Sequence, residues 1–251
     1  MSKRILISND DGINSEGLHK LHEILKTLGE VYVVAPDRDQ SAVSHSLTLY
    51  RPLRLDKISD FVYTVDGTPT DCVNLAINGI LRDNKPDLVV SGINKGENVG
   101  DDITYSGTVS AAMEGTLLGI PSIALSLVGR NDFNFDYALY HSLLIAKYVL
   151  ENKLPEDTLL NVNIPNLPGE QIKGIMITRQ GKRLYDNPIV EKVDPRGKKY
   201  YWVGGDELGF LDIEGSDIMA VKEGYVSVTP IGLDLTNYGH IDKLRSDLLR
   251  K

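Results

Sequence analysis

The sequence holds one cysteine, Cys72, which excludes an intramolecular disulfide and any zinc site built on several thiolates. No apolar run reaches the length of a membrane span. Positive charge is in deficit, with 27 Lys and Arg against 35 Asp and Glu and a formal net charge of −8. That balance argues against a nucleic-acid polymer as the main partner. It leaves a small phosphate ester open, because a bound cation reverses the local sign. Internal repeats, low-complexity tracts and flexible linkers are missing. So are several chemical signatures: a Gly-x-x-x-x-Gly-Lys-Ser/Thr phosphate loop, a Gly-x-Gly-x-x-Gly fingerprint after the first strand, a Gly-x-Ser-x-Gly elbow and a His-Glu-x-x-His helix. The first residues enter a strand with no basic-then-apolar leader, so the cytoplasm is the expected location and no membrane partner is expected. The rest of the composition, 41% hydrophobic and 25% charged over 251 residues, is that of an ordinary globular chain.

The stretch Arg4-Ile5-Leu6-Ile7-Ser8-Asn9-Asp10-Asp11-Gly12 organises the reading. Its apolar run is continuous rather than alternating, which predicts a strand buried on both faces of a mostly parallel sheet flanked by helices. In such α/β folds ligands bind beyond the carboxyl ends of the strands, where Asp10 and Asp11 stand. Gly12 permits a turn that brings both carboxylates to one cation or one water. A solvated Asx turn is the competing reading. An amphipathic helix over 15–28 follows, with Gly29 as its C-cap and with His19 and His22 on its surface.

Val31 to Ala35 predicts a second buried strand, and a hydroxyl-rich loop follows Pro36. One or more of its hydroxyls, with Arg38 or His45, either face the Asp10 site or are simply solvated. Short strands are expected over 47–55 and 61–65. A turn at 67–71 then opens a helix whose apolar stripe includes Cys72, read as buried packing rather than a nucleophile. Asp87 to Ser91 predicts a third buried strand. The loop after it, 92–102, is rich in glycine and asparagine and contains Asn94, Lys95 and Asn98; Lys95 is read as exposed. Ser106-Gly107-Thr108 opens a helix through about Leu118, and such a start is either plain capping or an anion site. A strand over 122–126, a helix over 137–150 and a strand over 159–164 complete the α/β part. Beyond it, strands are expected over 172–178, 199–203, 218–221 and 225–229 without helices between them, then a last helix over 240–250. The chain thus reads as one domain, with an α/β core over about 1–165 and a β-rich extension over about 166–251. The charged segment 187–199 is an arm, ordered or mobile.

Asp10, Asp11, hydroxyls such as that of Ser41, and Asn94 are all oxygen donors, which suit Mg²⁺, Mn²⁺ or Ca²⁺ better than zinc or copper. Such an ion beside a helix-start anion site suits a phosphate ester attacked in line by an activated water. The adjacent aspartates do not form the Asp-x-Asp of phosphatases that make an aspartyl-phosphate, which also favours water as the attacking species. A nucleotide-binding regulator without turnover and a metal-dependent transferase use similar residues.

Several blocks resemble one family, the SurE (survival protein E) nucleotidases. They are Ser8-Asn9-Asp10-Asp11-Gly12, Val34-Ala35-Pro36-Asp37-Arg38 with Ser41, residues 67–73 from Gly67 to Val73, Val90 to Gly96 with Asn98 and Gly100, Tyr105 to Val109, Met113-Glu114-Gly115, Asn161 to Pro165, Asp194 to Gly197, and Glu223 to Pro230. The blocks run in family order over nearly the whole chain. The resemblance implies a Rossmann-like core with a β-rich C-terminal extension, and a metal-dependent phosphatase of nucleoside 5′-monophosphates. It also implies side activity on 3′-nucleotides and short polyphosphate in some members. One divalent cation per subunit, Mg²⁺ or Mn²⁺ with Ca²⁺ as a possible occupant, would be held at Asp10, Asp11, Ser41 and Asn94. Asp10, Asp11 and Asn98 would serve catalysis, and Asn98, Ser106, Gly107 and Thr108 would bind the phosphoryl group. The expected assembly is a homodimer or homotetramer joined through C-terminal segments and the last helix.

Overall fold

A computed structural model describes residues 2–184, 189–203 and 209–249. The apolar run at the start forms β1 (Lys3–Ser8), and its neighbours are β2 (Gly29–Pro36), β5 (Leu88–Lys95), β6 (Ser122–Val128) and β7 (Thr158–Pro165), all mutually parallel. Two short strands, β3 (Leu55–Ser59) and β4 (Val62–Val65), close one edge, with β4 parallel to β2 and β3 antiparallel to β4. At the other edge stand β8 (Ile175–Ile177) and β13 (Val226–Gly232), and β13 lies antiparallel to β7. The order across the nine-stranded sheet is β3-β4-β2-β1-β5-β6-β7-β13-β8. The chain leaves β1 to one side for β2 and later returns to its other side for β5. The crevice between the carboxyl ends of β1 and β5 is therefore the topological switch point, where open α/β sheets bind ligands.

The continuous Ile5-Leu6-Ile7 run divides between two cores, as a doubly covered strand requires. Ile5 and Ile7 join one cluster with residues of α1 (Glu16–Leu25) and α4 (Asp136–Asn152), among them Leu18, Leu21 and Ala146. Leu6 faces the other cluster, with Cys72, Val73 and Ala111 from α2 (Pro69–Leu75) and α3 (Gly107–Leu117). Cys72 is fully buried, in accord with a packing role.

Local chemistry explains where sequence patterning and structure part. Helix α1 ends at Leu25 with Lys26 as its cap, and Gly29 opens β2 instead of capping the helix. The expected strand over 47–55 reduces to its last residue in β3. Pro52 has no N–H for a ladder, and the N–H groups of Thr48 and Arg54 go to the carboxylates of Asp71 and Asp66. The run Ile218 to Val221 is not a strand. It lies in α5 (Asp217–Lys222), because Ser216 caps the Met219 N–H and a short Met-Ala segment favours helix. The extension also does more than pack on the core, since β8 and β13 complete the central sheet itself.

The remaining strands are two small ladders, β9 (Arg183–Leu184) with β12 (Gly209–Phe210), and the hairpin β10 (Ile189–Val193) with β11 (Lys199–Val203). Of the segment 187–199, the part from Ile189 is thus the ordered first strand and turn of a hairpin; Asn187 and Pro188 lie outside the described residues. The last helix, α6, spans Tyr238–Leu248.

One cap holds the start of α2 and the loop before it together. Asp71, nearly fully buried, accepts from the Thr68 N–H at 2.9 Å and the Thr48 N–H at 2.9 Å, while its own N–H donates to the Thr68 hydroxyl. Replacing Asp71 with Ala leaves these donors unpaired. Thermal unfolding should show a loss of about 1–2 kcal/mol, or about 2–4 °C in Tm for each kcal/mol.

Candidate active site

The site begins with the turn after β1. Asn9 is fully buried, and its Nδ2 donates to the Gly12 carbonyl at 3.0 Å and to Ser15 Oγ at 2.7 Å. Ser15 in turn caps α1 by accepting from the Leu18 N–H. Gly12 has φ of +89°, and a Cβ on it would lie 2.9 Å from the Arg38 carbonyl carbon, so only glycine allows this turn against the next loop. Asp10 and Asp11 are therefore presented by a fixed turn. Asp10 is buried and Asp11 half-buried.

Helix α3 meets Asp10 end-on. A Cβ at Gly107 would stand 2.7 Å from Asp10 Cβ, so the bare backbone is what lets the helix start reach the carboxylate. Thr108 Oγ1 donates to Asp10 Oδ1 at 2.5 Å. Ser106 is the N-cap, its Oγ accepting from the Val109 N–H at 3.1 Å. The structure thus brings Ser106, Gly107 and Thr108 to Asp10, and it engages the Thr108 hydroxyl with the carboxylate itself.

The loop after β2 is tied to the same turn, because the Gln40 N–H donates to the Asp10 carbonyl at 2.8 Å. Ser41 follows directly. It is exposed, and both its N–H and its hydroxyl donate to Asp39 Oδ1, at 2.8 and 2.6 Å. Asp39 was not among the sequence candidates, yet its charge raises the pKa of both Asp10 and Asp11. Its only sequence signal is its place two residues before Ser41. Arg38 turns to Asp37. His45 is held at 2.8 Å by the buried Glu114 of α3, which also accepts from Asn74 Nδ2.

From the other side of the crevice comes β5. Its register against β6 shifts between Ser91 and Asn94, so that Val90 and Ile93 both enter the α1/α4 core. A regular strand cannot send residues three apart to one face; the bulge re-aims the strand end. Asn94 is half-buried there, and its Nδ2 donates to the Gly96 carbonyl at 3.0 Å, leaving Oδ1 as the atom that can serve as an oxygen ligand. Lys95 is exposed, as expected, with its amine 3.4 Å from Glu16 and over the rings of Phe133 and Phe135.

Asn98 is buried and held from β7. Its N–H donates to Asn163 Oδ1 at 2.8 Å, its carbonyl accepts from Asn161 and Asn163, and its Nδ2 donates to Ser126 Oγ at 2.8 Å. His19 and His22 stay on α1 away from these groups: His19 is exposed, and burial holds His22 below its ordinary pKa.

The electrostatics are those of crowded carboxylates. Burial, opposed by the Thr108 hydroxyl, raises the pKa of Asp10. That of Asp11 is pushed up to about 6 by burial first, then by repulsion from Asp10 and Asp39, with Lys95 offsetting part. Among the described residues no three His, Cys, Asp or Glu side chains form a metal cluster. The oxygen atoms at this end of the sheet are instead those of Asp10 and Asp11, with Ser41 next to the Gln40 that bonds to the Asp10 carbonyl and Asn94 near the end of β5. An all-oxygen set whose negative charge is only partly offset fits a hard divalent cation. The Asn9 Oδ1, buried without a partner among the described residues, adds a further oxygen beside Asp10.

A raised carboxyl pKa favours folding below the unfolded value and disfavours it as pH climbs through the folded one. For Asp11 that window runs from about 4 to about 6. Without metal, Asp11→Asn should therefore raise Tm at pH 8 and bring little gain at pH 4. With the group partly exposed, the effect should be about 1 kcal/mol after screening, or about 2–4 °C. Added Mg²⁺ or Mn²⁺ should reverse the ranking by stabilising only the parent protein.

Residues 5–187 match the family model for Survival protein SurE. A protein called 5′-nucleotidase SurE from Geotalea uraniireducens (strain Rf4) is 58% identical over 243 residues, covering 96% of this chain and 98% of that one. Another of that name, from Aquifex aeolicus (strain VF5), is 56% identical over 234 residues, covering 93% of each. The crystal structure of the Sure protein from Aquifex aeolicus superposes with a TM-score of 0.88 at 55% identity, over 97% of this chain and 98% of that chain. With a family model matched over most of its length and relatives more than half identical over nearly their whole length, this chain belongs to the SurE family.

Proposed function

We propose that this protein is a 5′-nucleotidase that hydrolyses nucleoside 5′-monophosphates to nucleoside and phosphate. The observation that carries the reading is the meeting of Asp10 with the start of α3, where Gly107 lets the helix N-terminus reach the carboxylate and the Thr108 hydroxyl bonds to it. Relatives that are more than half identical over nearly their full length carry the name 5′-nucleotidase SurE. We assign one divalent cation per subunit, Mg²⁺ or Mn²⁺, to Asp10, Asp11, Ser41 and Asn94. When bound, it supplies positive charge for the phosphoryl oxygens and lowers the pKa of water.

This chain's residues do the rest. The N–H groups at Gly107 and Thr108, with the Ser106 hydroxyl, bind phosphoryl oxygens that the helix start favours. The Thr108 hydroxyl holds Asp10 in place. Asn98, anchored by Asn163 and Ser126, orients the phosphoryl group with its amide. Asp11, the less buried carboxylate, takes the proton of the attacking water. Water adds to phosphorus as the ester P–O bond breaks, and the departing 5′-oxygen takes up a proton. Recognition centred on phosphate implies tolerance towards the base, and the same site would accept 3′-nucleotides and short polyphosphate as lesser substrates.

No helix is long and apolar enough to cross a membrane among the described residues, and we place the protein in the cytoplasm. We take the chain as one domain, a core over about 1–165 with an extension over about 166–251 that assembles with a second copy into a dimer or tetramer. Trp202 on β11 is 65% exposed, and Tyr200, Tyr201, Leu244 and Leu248 are exposed beside no core, while α6 has no buried residue. Apolar surface of that kind is what an interface buries.

Purified protein should release phosphate from 5′-AMP with Mg²⁺ or Mn²⁺ and lose that activity on chelation. Binding without phosphate release would point instead to a regulator. Asp10→Asn should lower kcat by about 10²–10³-fold with an unchanged circular dichroism spectrum. For assembly, Trp202→Ser with Leu248→Ser should shift the mass measured by light scattering towards the monomer.

A further inference from the structure

The C-terminal extension grips the loop that carries Asn98. Arg183, in β9, has a side chain only 10% exposed, and its guanidinium spans that loop. Nη2 lies 3.0 Å from Glu97 Oε1, and Nε lies 2.8 Å from Asp102 Oδ2. One planar group therefore joins the residue before Asn98 to a residue four positions after it. The Arg183 backbone N–H adds a bond to Asp101 Oδ2 at 3.1 Å.

Beneath the clasp, the fully buried Asp217 at the start of α5 accepts from the Gly100 N–H at 2.9 Å and the Gly181 N–H at 2.8 Å. Gln180 Nε2 returns a bond to the Gly100 carbonyl at 3.0 Å. The same loop is pinned from its inner side by Asn161 and Asn163 of β7. Asn98 is thus held between two supports, one from the sheet and one from the extension.

We infer that Arg183 is a positioning residue for the hydrolytic site, closing the 97–102 loop around Asn98, so that the extension is a working part of the site as well as an assembly element. The inference rests on the nucleotidase reading. A lysine cannot replace the clasp, because one ammonium does not span two carboxylates as a forked guanidinium does. Lys182, just before the strand, whose amine meets Asp101 at 3.0 Å but is more than half exposed, supplies the contrast.

The test compares full-length Arg183→Met, Arg183→Lys and Lys182→Ala by two readouts. The first is amide hydrogen exchange without substrate. Arg183→Met should speed exchange at Asn98 and Gly100 about ten-fold or more, with the amides of α1 unchanged. The second is phosphate release from 5′-AMP, where kcat should fall by about 10²-fold with a smaller change in KM. Arg183→Lys should recover only part of the loss, and added methylguanidinium should restore part of kcat to the Met variant. Lys182→Ala should stay within about two-fold of the parent in both readouts. If Arg183→Met also loosens α1, Asp102→Asn opens the clasp more gently and is judged by the same criteria. Parent-like kcat, or reduced kcat with an unchanged loop, overturns the inference. A parent protein that releases no phosphate refutes the nucleotidase reading instead, and the exchange result alone then decides whether Arg183 holds the loop.

Discussion

The structure depends on keeping two neighbouring carboxylates out of bulk water with little positive charge beside them. Burial raises the pKa of both Asp10 and Asp11, and Asp39 adds repulsion. Such an arrangement is costly in a folded chain unless its neighbours hold it. The neighbours here are mostly neutral: the Thr108 hydroxyl on Asp10, the Asn9 amide beneath the turn, and a helix start brought close by Gly107. Stability is given up locally, in the form expected of a centre prepared to receive a cation and a phosphate.

The sheet makes this local cost sustainable. Because the winding reverses at β1, the turn after β1 and the end of β5 face one crevice with packed helices on both sides. The side chains proposed for the site stand on turns and strand ends, while buried asparagines and serines fix them from below. That division places precision on rigid elements and leaves the mouth of the site to loops.

Much of this was legible in the residues. The Ile5-Leu6-Ile7 run implied a strand covered on two sides, and the two cores divide it accordingly. The aspartates at its end pointed to the ligand side because α/β sheets bind ligands beyond the carboxyl ends of their strands, with a solvated Asx turn as the competing reading. Other features were hidden for physical reasons. Asn161 and Asn163 read as ordinary strand residues, and their bonds to Asn98 span more than sixty positions, beyond any local pattern. The β-branched ends of Ile218 to Val221 suggested a strand, and the cap at Ser216 decided for helix. The Ser91–Asn94 bulge leaves no mark beyond Gly92. The nucleoside was not legible at all, because the side chains gathered around Asp10 speak only to phosphate and metal.

The antiparallel pairing of β13 with β7 carries a consequence for how the molecule comes into being. Strand β7 is buried along nearly its whole length, and among the described residues its outer ladder is filled by residues 227–232. During synthesis those residues leave the ribosome well after β7. Until then β7 presents an open, apolar edge, the feature through which unfinished sheets capture one another. The strand that seals the sheet also lies beyond the residues 5–187 by which the family is recognised. A fragment cut to the recognisable part would keep Asp10, Asp11, Asn94 and Asn98 and still carry an unpaired edge, so the smallest unit with a sealed sheet is longer than the smallest recognisable one.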